Sequence, residues 1–317
     1  MARFIFIFFL SIVPGYYFSQ CCGGCNPIGG NTNQGTLPKY MLQVNGYHRN
    51  AYSQGYMEKD HSSDFKFVKN AQSNYEGLQV GYGLSKRLTV DLETGYYLNR
   101  SQYFQIYGYN YSLNGFGGSS FTFSGRYNIL KDTVRDIEFT GGIGIKVPWS
   151  TKPLVTNGVE LSEDVQPSNG AYGVVVRTFF LKEFDKAEFK FFLINTVNIN
   201  STNPKAYKEG NTYLSALFFS KKVAKRITAI FQIRNEIREH SYRDKLVVTS
   251  SGGCRFIFIP QLNYTIKKNY NLSLLYELPF YQYYNGIQLR DVYAISINLN
   301  MRFMLNKKAR EICEKPL

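Results

Sequence analysis

Three histidines, His48, His61 and His240, limit the acid–base chemistry open to this chain. Side chains of adjacent strand residues point to opposite sides, so His240 and Ser241, which are adjacent, do not make a Ser–His pair on one face of a strand. Asp60 and His61 pair a carboxylate with an imidazole, but in a polar stretch that reads as a hydrated loop. Cys22-x-x-Cys25 has the spacing of half a metal site, with no second ligand pair and no histidine beside it. No catalytic residue, metal or cofactor is expected from these groups. A second set of residues is more regular. Asp91, Glu93, Arg126, Glu138, Lys146, Arg177, Glu188, Lys190, Arg234, Glu236, Arg238, Arg255, Glu277 and Arg302 lie on the polar alternates of segments whose other alternates are apolar. Mixed charge at that spacing suits either the lining of an aqueous pore or a salt-bridge network filling a narrow one.

The segments that must carry these charges repeat one pattern. In RITAIFQIRNEIR, Ile227, Ala229, Phe231, Ile233 and Ile237 are apolar, with Asn235 as the gap; Thr228, Gln232, Arg234, Glu236 and Arg238 are polar, with Ile230 as the exception. Period two means a strand with two chemically different faces. Twelve such strands are expected, at about 39–54, 74–84, 87–100, 113–130, 135–149, 170–182, 187–201, 211–222, 226–239, 248–266, 270–283 and 289–304. Every second connection is short, as in SKR at 85–87 and KKVAKR at 221–226, and the others are mostly longer. Length asymmetry of this kind, with aromatics such as Tyr96, Tyr97, Tyr127, Tyr264, Tyr276, Phe280 and Tyr281 near strand ends, points to an antiparallel transmembrane barrel. A soluble sandwich would explain the alternation equally well but not the charges that recur on strands flanked by aromatics. Strand ten, CRFIFIPQLNY, is apolar on both faces, so its inward face is expected to meet a plug; the 55–73 and 149–169 loops are expected to cover the mouth.

Composition agrees. Aromatics make up 16%, with 26 Tyr and 25 Phe, which favours pleated sheet. The formal charge of +14 allows nucleic acid, anionic lipid or an anionic solute as partner. The N-terminus decides among them. One Arg at position 3 precedes an apolar run from Phe4 to Val13, too short to span a bilayer as a helix and arranged as a secretory signal. Its Phe-Ser-Gln ending resembles bacterial export signals of the Bacteroidetes type, with cleavage after Gln20. Export makes nucleic acid an unsuitable partner, and basic turns such as SKR and KKVAKR then face anionic lipid, cell-wall components or solvent. Cys21, Cys22 and Cys25 follow the cleavage point in a Gly-rich segment; they are disulfide candidates in an oxidising compartment, with open connectivity. A lipid anchor on Cys21 is the weaker alternative, because Gln20 is a poor residue before a lipidated cysteine.

From Gly141 the chain reads GGIGIKVPWSTKPLVTNGVELSEDVQPSNGAYG. This resembles outer-membrane proteins grouped as the MetA-pathway of phenol degradation family, which show Gly-x-Lys-x-Pro-x-Gly and then a polar loop ending Leu-Gln-Pro-Gly-x-Gly. Lys146, Pro148, Gln166, Pro167 and Gly170 match; Ser150 and Ser168 stand where glycines are usual. The YGLSKRLTVDLETGYY and YNGIQLRDVYAISINL segments are similar too. The resemblance implies an outer-membrane barrel that transports small compounds; it supplies no catalytic residues and no specificity for phenol. The expected organisation is a signal peptide at 1–20, a Cys/Gly-rich periplasmic or lumen-entering segment at 21–38, an all-β barrel of about twelve strands at 39–305 and a tail at 306–317. The expected protein is a monomeric, non-enzymatic outer-membrane transporter or channel whose partners are membrane lipid and a small solute. A filled barrel with a binding or structural role is the alternative.

Overall fold

The computed structural model describes residues 35–106, 109–156 and 158–306. The expected signal peptide, Cys21, Cys22, Cys25 and all of the tail after Asn306 lie outside these residues. Eleven strand elements close into one antiparallel ring: β1 (Met41–Lys59), β2 (Val68–Gly83), β3 (Leu88–Ile106), β4 (Tyr109–Asp132), β5 (Ile137–Pro148), β6 (Gly173–Phe184), β7 (Phe189–Asn200), β8 (Thr212–Ala224), β9 (Ile227–Arg238), β10 (Gly253–Lys267) and β11 (Tyr270–Met304). Each pairs with its chain neighbours, and β11 returns to β1 along a register from Met41↔Met304 to Lys59↔Tyr284. A short strand, His61–Ser63, folds onto the end of β1 outside the ring.

β11 accounts for two crossings. Its 35 residues, at about 3.3 Å each, would reach several times the thickness of a bilayer if straight. Instead Tyr270–Tyr284 pairs with β10 and Tyr284–Met304 with β1, and Gly286 supplies the turn at φ +67°. The two arms meet: Arg302 N–H donates to the Asn269 carbonyl at 3.0 Å, Gln282 Nε2 to the Asp291 carbonyl at 2.9 Å, and the Tyr276 and Tyr293 rings stack at 6.1 Å. The wall is therefore crossed twelve times, the even number that an up-and-down antiparallel ring needs to close.

The two faces are inverted relative to a soluble sandwich. On β9, Ile230, Gln232, Arg234 and Glu236 are buried, while Phe231 is 51% and Ile237 44% exposed. Buried polar residues such as Asn45, Thr89, Asn128, Thr140 and Asn298 fill the inside, and Leu78, Phe123, Ile143, Ile145, Leu262, Leu274 and Ile297 cover the outside. An apolar exterior of this extent does not suit water; it suits lipid. Among the described residues no helix is long and apolar enough to cross a membrane. The strands do it.

Strand limits depart from expectation at the end where the longer loops lie. β3 and β4 continue as a paired ribbon to Ile106↔Tyr109, where a loop over about 100–113 was expected. Likewise 55–59 belongs to β1 and 68–73 to β2, so only 60–67 connects them. There Phe65 packs edge-on against Tyr56 at 4.9 Å, and Phe67 against Phe104 at 5.3 Å. The ladder continues past the membrane because cross-strand pairs still satisfy its backbone, and polar outward residues no longer mark the boundary.

Inside, three tyrosines on β1–β3 pack in turn, Tyr47 tilted against Tyr75 at 5.9 Å and Tyr75 edge-on to Tyr97 at 4.7 Å. Two of them lie flat over a glycine of the next strand. A Cβ on Gly77 would fall 2.0 Å from the Tyr47 ring, and one on Gly95 would fall 1.9 Å from the Tyr75 hydroxyl. A side chain at either glycine would push a ring into a filled interior. We predict that Gly77→Ala costs about 1–3 kcal/mol, seen as a lower urea midpoint for unfolding in detergent. Gly46→Ala, with nothing within 4 Å of the added methyl, should leave the midpoint unchanged or raise it.

Candidate functional site in the barrel lumen

Charges that share an enclosed interior must pair, because a lone buried ion is costly. Six of them form an alternating ladder across β1, β9, β10 and β11. Arg49 clasps Glu277 with two hydrogen bonds at 2.9 and 3.0 Å; Arg234 reaches the same carboxylate at 2.6 Å and pairs with Glu236 at 2.8 Å. Arg255 joins Glu236 to Asp291. Three guanidiniums and three carboxylates thus neutralise one another, each carboxylate but the last shared between two arginines.

The opposite wall repeats the device. Arg126 binds Asp91 through two bonds at 2.6 and 2.7 Å, and Arg177 binds Glu93 at 2.7 Å. Arg126 Nη1 also donates to the Gly35 carbonyl at 2.7 Å, Thr36 N–H to Glu138 Oε1 at 3.0 Å, and Leu37 N–H to Thr89 Oγ1 at 2.8 Å. Residues 35–37 therefore lie inside the barrel at the end where β1 begins, held by strand side chains.

The opposite mouth is narrowed by the 149–172 connection between β5 and β6. Gln166 ties it together: its Oε1 accepts the Leu154 N–H at 2.7 Å, and its Nε2 donates to the carbonyls of Leu154 and Leu161 at 3.1 and 2.8 Å. Arg100 reaches from β3 to the Gln166 carbonyl at 2.6 Å. Gly170 has φ +68°, a conformation that favours glycine. The Gln-Pro-x-x-Gly stretch thus has a physical role, a folded loop with a left-handed exit. Glu163 in this loop has its carboxyl held above the usual range by burial, against the lowering effect of Arg243 and with Asp164, Glu160 and Glu209 adding to the rise.

Two cavities remain, of about 1650 and 1300 Å³ including space open to solvent. Arg100, Asp164, Thr212, Arg234 and Glu277 border both and so form the partition between them. The larger one has a charged collar of Glu93, Lys146, Glu163, Arg177 and Glu209, and an apolar side of Val175, Ile194, Leu214, Ala216, Phe218 and Leu275. Ile194, Leu214, Ala216 and Phe218 of that side form a cluster with Phe179, Phe192 and Ile230, where Phe192 and Phe218 stack at 4.4 Å. Ile257 and Ile259 of β10 pack with Leu275.

Of the other charges expected to face inward, Lys146 donates to Asn200 Oδ1 at 3.1 Å, Arg238 lines the smaller cavity, and Arg302 stands opposite Gln43 in the β1–β11 register. Two sit elsewhere. Glu188 ends the 185–187 turn in a left-handed conformation, before β7 begins, and its carboxylate pairs with Lys222 at the rim. Lys190, one residue into β7, pairs with Glu183 and is 52% exposed. Strand alternation does not apply to Glu188, and Lys190 lies too near the end to be enclosed. Arg49, Asp291, Arg100 and the apolar wall were missed. The alternation around Tyr47 could have given Arg49; Asp291 follows a register irregularity between Tyr52 and Ser53 that breaks the count. His240 and Ser241 form no pair with an acid: Ser241 Oγ accepts the Gly210 N–H at 3.2 Å, and no metal-ligating cluster occurs among the described residues.

Scans against protein-family models and curated proteins find no match. Among solved structures, the chain is similar to an outer membrane channel from Pseudomonas putida F1, with TM-score 0.67 and 12% identity over 88% of this chain and 100% of that one. The KdgM porin, in complex with disordered oligogalacturonate, aligns with TM-score 0.46 and 7% identity over 82% of this chain and 99% of that one. The NanC porin aligns with TM-score 0.43 and 11% identity over 83% and 100%. The first likeness shows the fold, that of an outer-membrane β-barrel.

Removing one partner of a buried pair should cost more than removing both. We predict that Arg126→Ala lowers stability by about 3–5 kcal/mol, leaving Asp91 unpaired. Arg126→Leu with Asp91→Leu should recover most of that loss, as measured by urea unfolding in detergent.

Proposed function

We propose that the protein is an outer-membrane channel that admits small solutes along its lumen, without enzymatic chemistry. The observation that carries this reading is the cavity of about 1650 Å³, counting space open to solvent, with a charged collar on one side and an apolar wall on the other. Such a surface suits a small molecule with an apolar body and a polar end, since each part finds a matching wall. The end with Met41, Met304 and the short turns then faces the periplasm, and the longer loops face outside. The resemblance to the MetA-pathway family at Lys146, Pro148, Gln166, Pro167 and Gly170 supports the same role, and the loop geometry around Gln166 gives those residues a purpose.

The filled-barrel alternative has its own support. Residues 35–37 occupy the near end, and the partition at Arg234 and Glu277 divides the interior. Planar-bilayer recording separates the two readings. A channel gives small, discrete currents of weak selectivity at neutral pH, because the collar mixes both signs of charge. Acidification tips the preference toward anions: a carboxyl raised by burial loses its negative charge at a higher pH than its neighbours, so Glu163 is neutralised early while the arginines stay charged. Glu163→Gln should remove part of that pH-dependent change in reversal potential, and Lys146→Glu should move it toward cations. Absence of current from the wild-type chain, and from a variant combining Arg234→Ala with Glu277→Ala, would remove the channel reading.

A further inference from the structure

The outward face of β1–β3 departs from the rest of the lipid-facing wall. His48 Nδ1 and Glu76 Oε1 lie 2.7 Å apart there, and their side chains are 41% and 47% exposed. Both are on the outward alternates: Tyr47 and Tyr75 beside them are buried in the lumen. Their height is fixed by β11. His48 lies opposite Ile297, and Gly46 below it lies opposite Leu299. Above it, Tyr52 stacks on Tyr293 at 5.6 Å, part of the aromatic girdle. The pair is thus within the apolar band, not at its edge. One row higher, Asn50 donates to Asn74 at 2.8 Å and Asn74 to Asn99 at 2.7 Å, again on the outside.

Polar rows on a lipid face can be self-contained. On the opposite wall, Ser215 donates to Asn195 at 2.7 Å and Asn195 to Thr178 at 3.1 Å, and none of these can ionise. The β1–β3 patch differs because an imidazole and a carboxylate use only one polar atom each on one another. Among the described residues, His48 Nε2 and Glu76 Oε2 have no protein partner. Ionisable groups at membrane depth are costly, and face protein or water rather than hydrocarbon.

We infer that this face is the contact between two copies of the barrel, related by a two-fold axis along the membrane normal, in place of the monomer expected from the sequence. His48 and Glu76 are direct register partners on adjacent strands. An axis passing between them places His48 of one copy against Glu76 of the other, and the reverse, at the same depth. The contact is self-complementary, as a two-fold contact must be. With both ring nitrogens protonated, the second N–H of each imidazolium donates to the second oxygen of the other copy's carboxylate. Gly46, with open space at its Cβ position, lets the walls approach closely, and the asparagine row extends the polar contact upward. This inference depends on the membrane-facing exterior and not on whether the lumen conducts.

The test uses full-length protein purified in mild detergent and reconstituted in nanodiscs large enough for two barrels. Native mass spectrometry reads the copy number, and the gel shift between heated and unheated samples confirms folding. The wild-type chain is expected as a dimer. His48→Glu alone and Glu76→His alone bring like groups together across the axis, so each loses the dimer. Co-expressed with different tags, the two variants recover it as a mixed pair carrying one of each, a result that repair of the contact within a single chain cannot produce. His48→Leu with Glu76→Leu, which suits lipid, should fold and be monomeric. A monomeric wild-type chain in nanodiscs, folded single variants that remain dimeric, or a mixture that yields no mixed pair would overturn the inference.

Discussion

The structure depends on one constraint: in hydrocarbon, a strand's backbone N–H and C=O groups can bond only to another strand. A sheet with an edge would leave a row of them unsatisfied, so the sheet must close. Closure explains the long β1–β11 seam, the fold-back of β11 at Gly286 and the even number of crossings. It also sorts the side chains. Once the ring exists, every outward residue meets lipid and every inward one meets a confined interior, whatever the local propensity.

That confined interior sets the second level of organisation. A lone charge inside is costly, and Arg49, Arg234 and Arg255 alternate with Glu277, Glu236 and Asp291, while Arg126 and Arg177 take Asp91 and Glu93. These pairs stiffen the wall and also decide where space remains. The ladder and Arg100 form the partition; the Phe192–Phe218 wall and the collar around Lys146 border the larger cavity on either side of it. The same residues therefore serve stability and shape the proposed solute path, and the tyrosines over Gly77 and Gly95 fill another part of the lumen.

Much of this could be read from alternation. In RITAIFQIRNEIR both apparent faults have structural reasons: Ile230 belongs to the apolar lumen wall, and Asn235 faces outward and donates to Cys254 Sγ at 3.2 Å. What alternation could not show was which inward residues meet across the barrel. Arg49 and Glu277 are 228 positions apart in sequence, and no local pattern joins them. It also misplaced Glu188, because a turn residue one position before a strand still fits the period. The outward pair of His48 and Glu76 was hidden for the opposite reason: each begins a short polar run, His48 with Asn50 and Glu76 with Asn74, which in a single strand looks like the end of the apolar column.

The central claim is that the apolar alternates face lipid and the polar ones an enclosed lumen. Single nitroxide labels placed in turn at residues 227–238 of the reconstituted protein test it most directly, through collision with oxygen, which concentrates in lipid, and with a water-soluble nickel complex. The account predicts two accessibilities oscillating out of phase with period two, with oxygen maxima at 227, 229, 231, 233 and 237. Equal access on both faces, or oxygen maxima at 228, 232, 234 and 236, would contradict it.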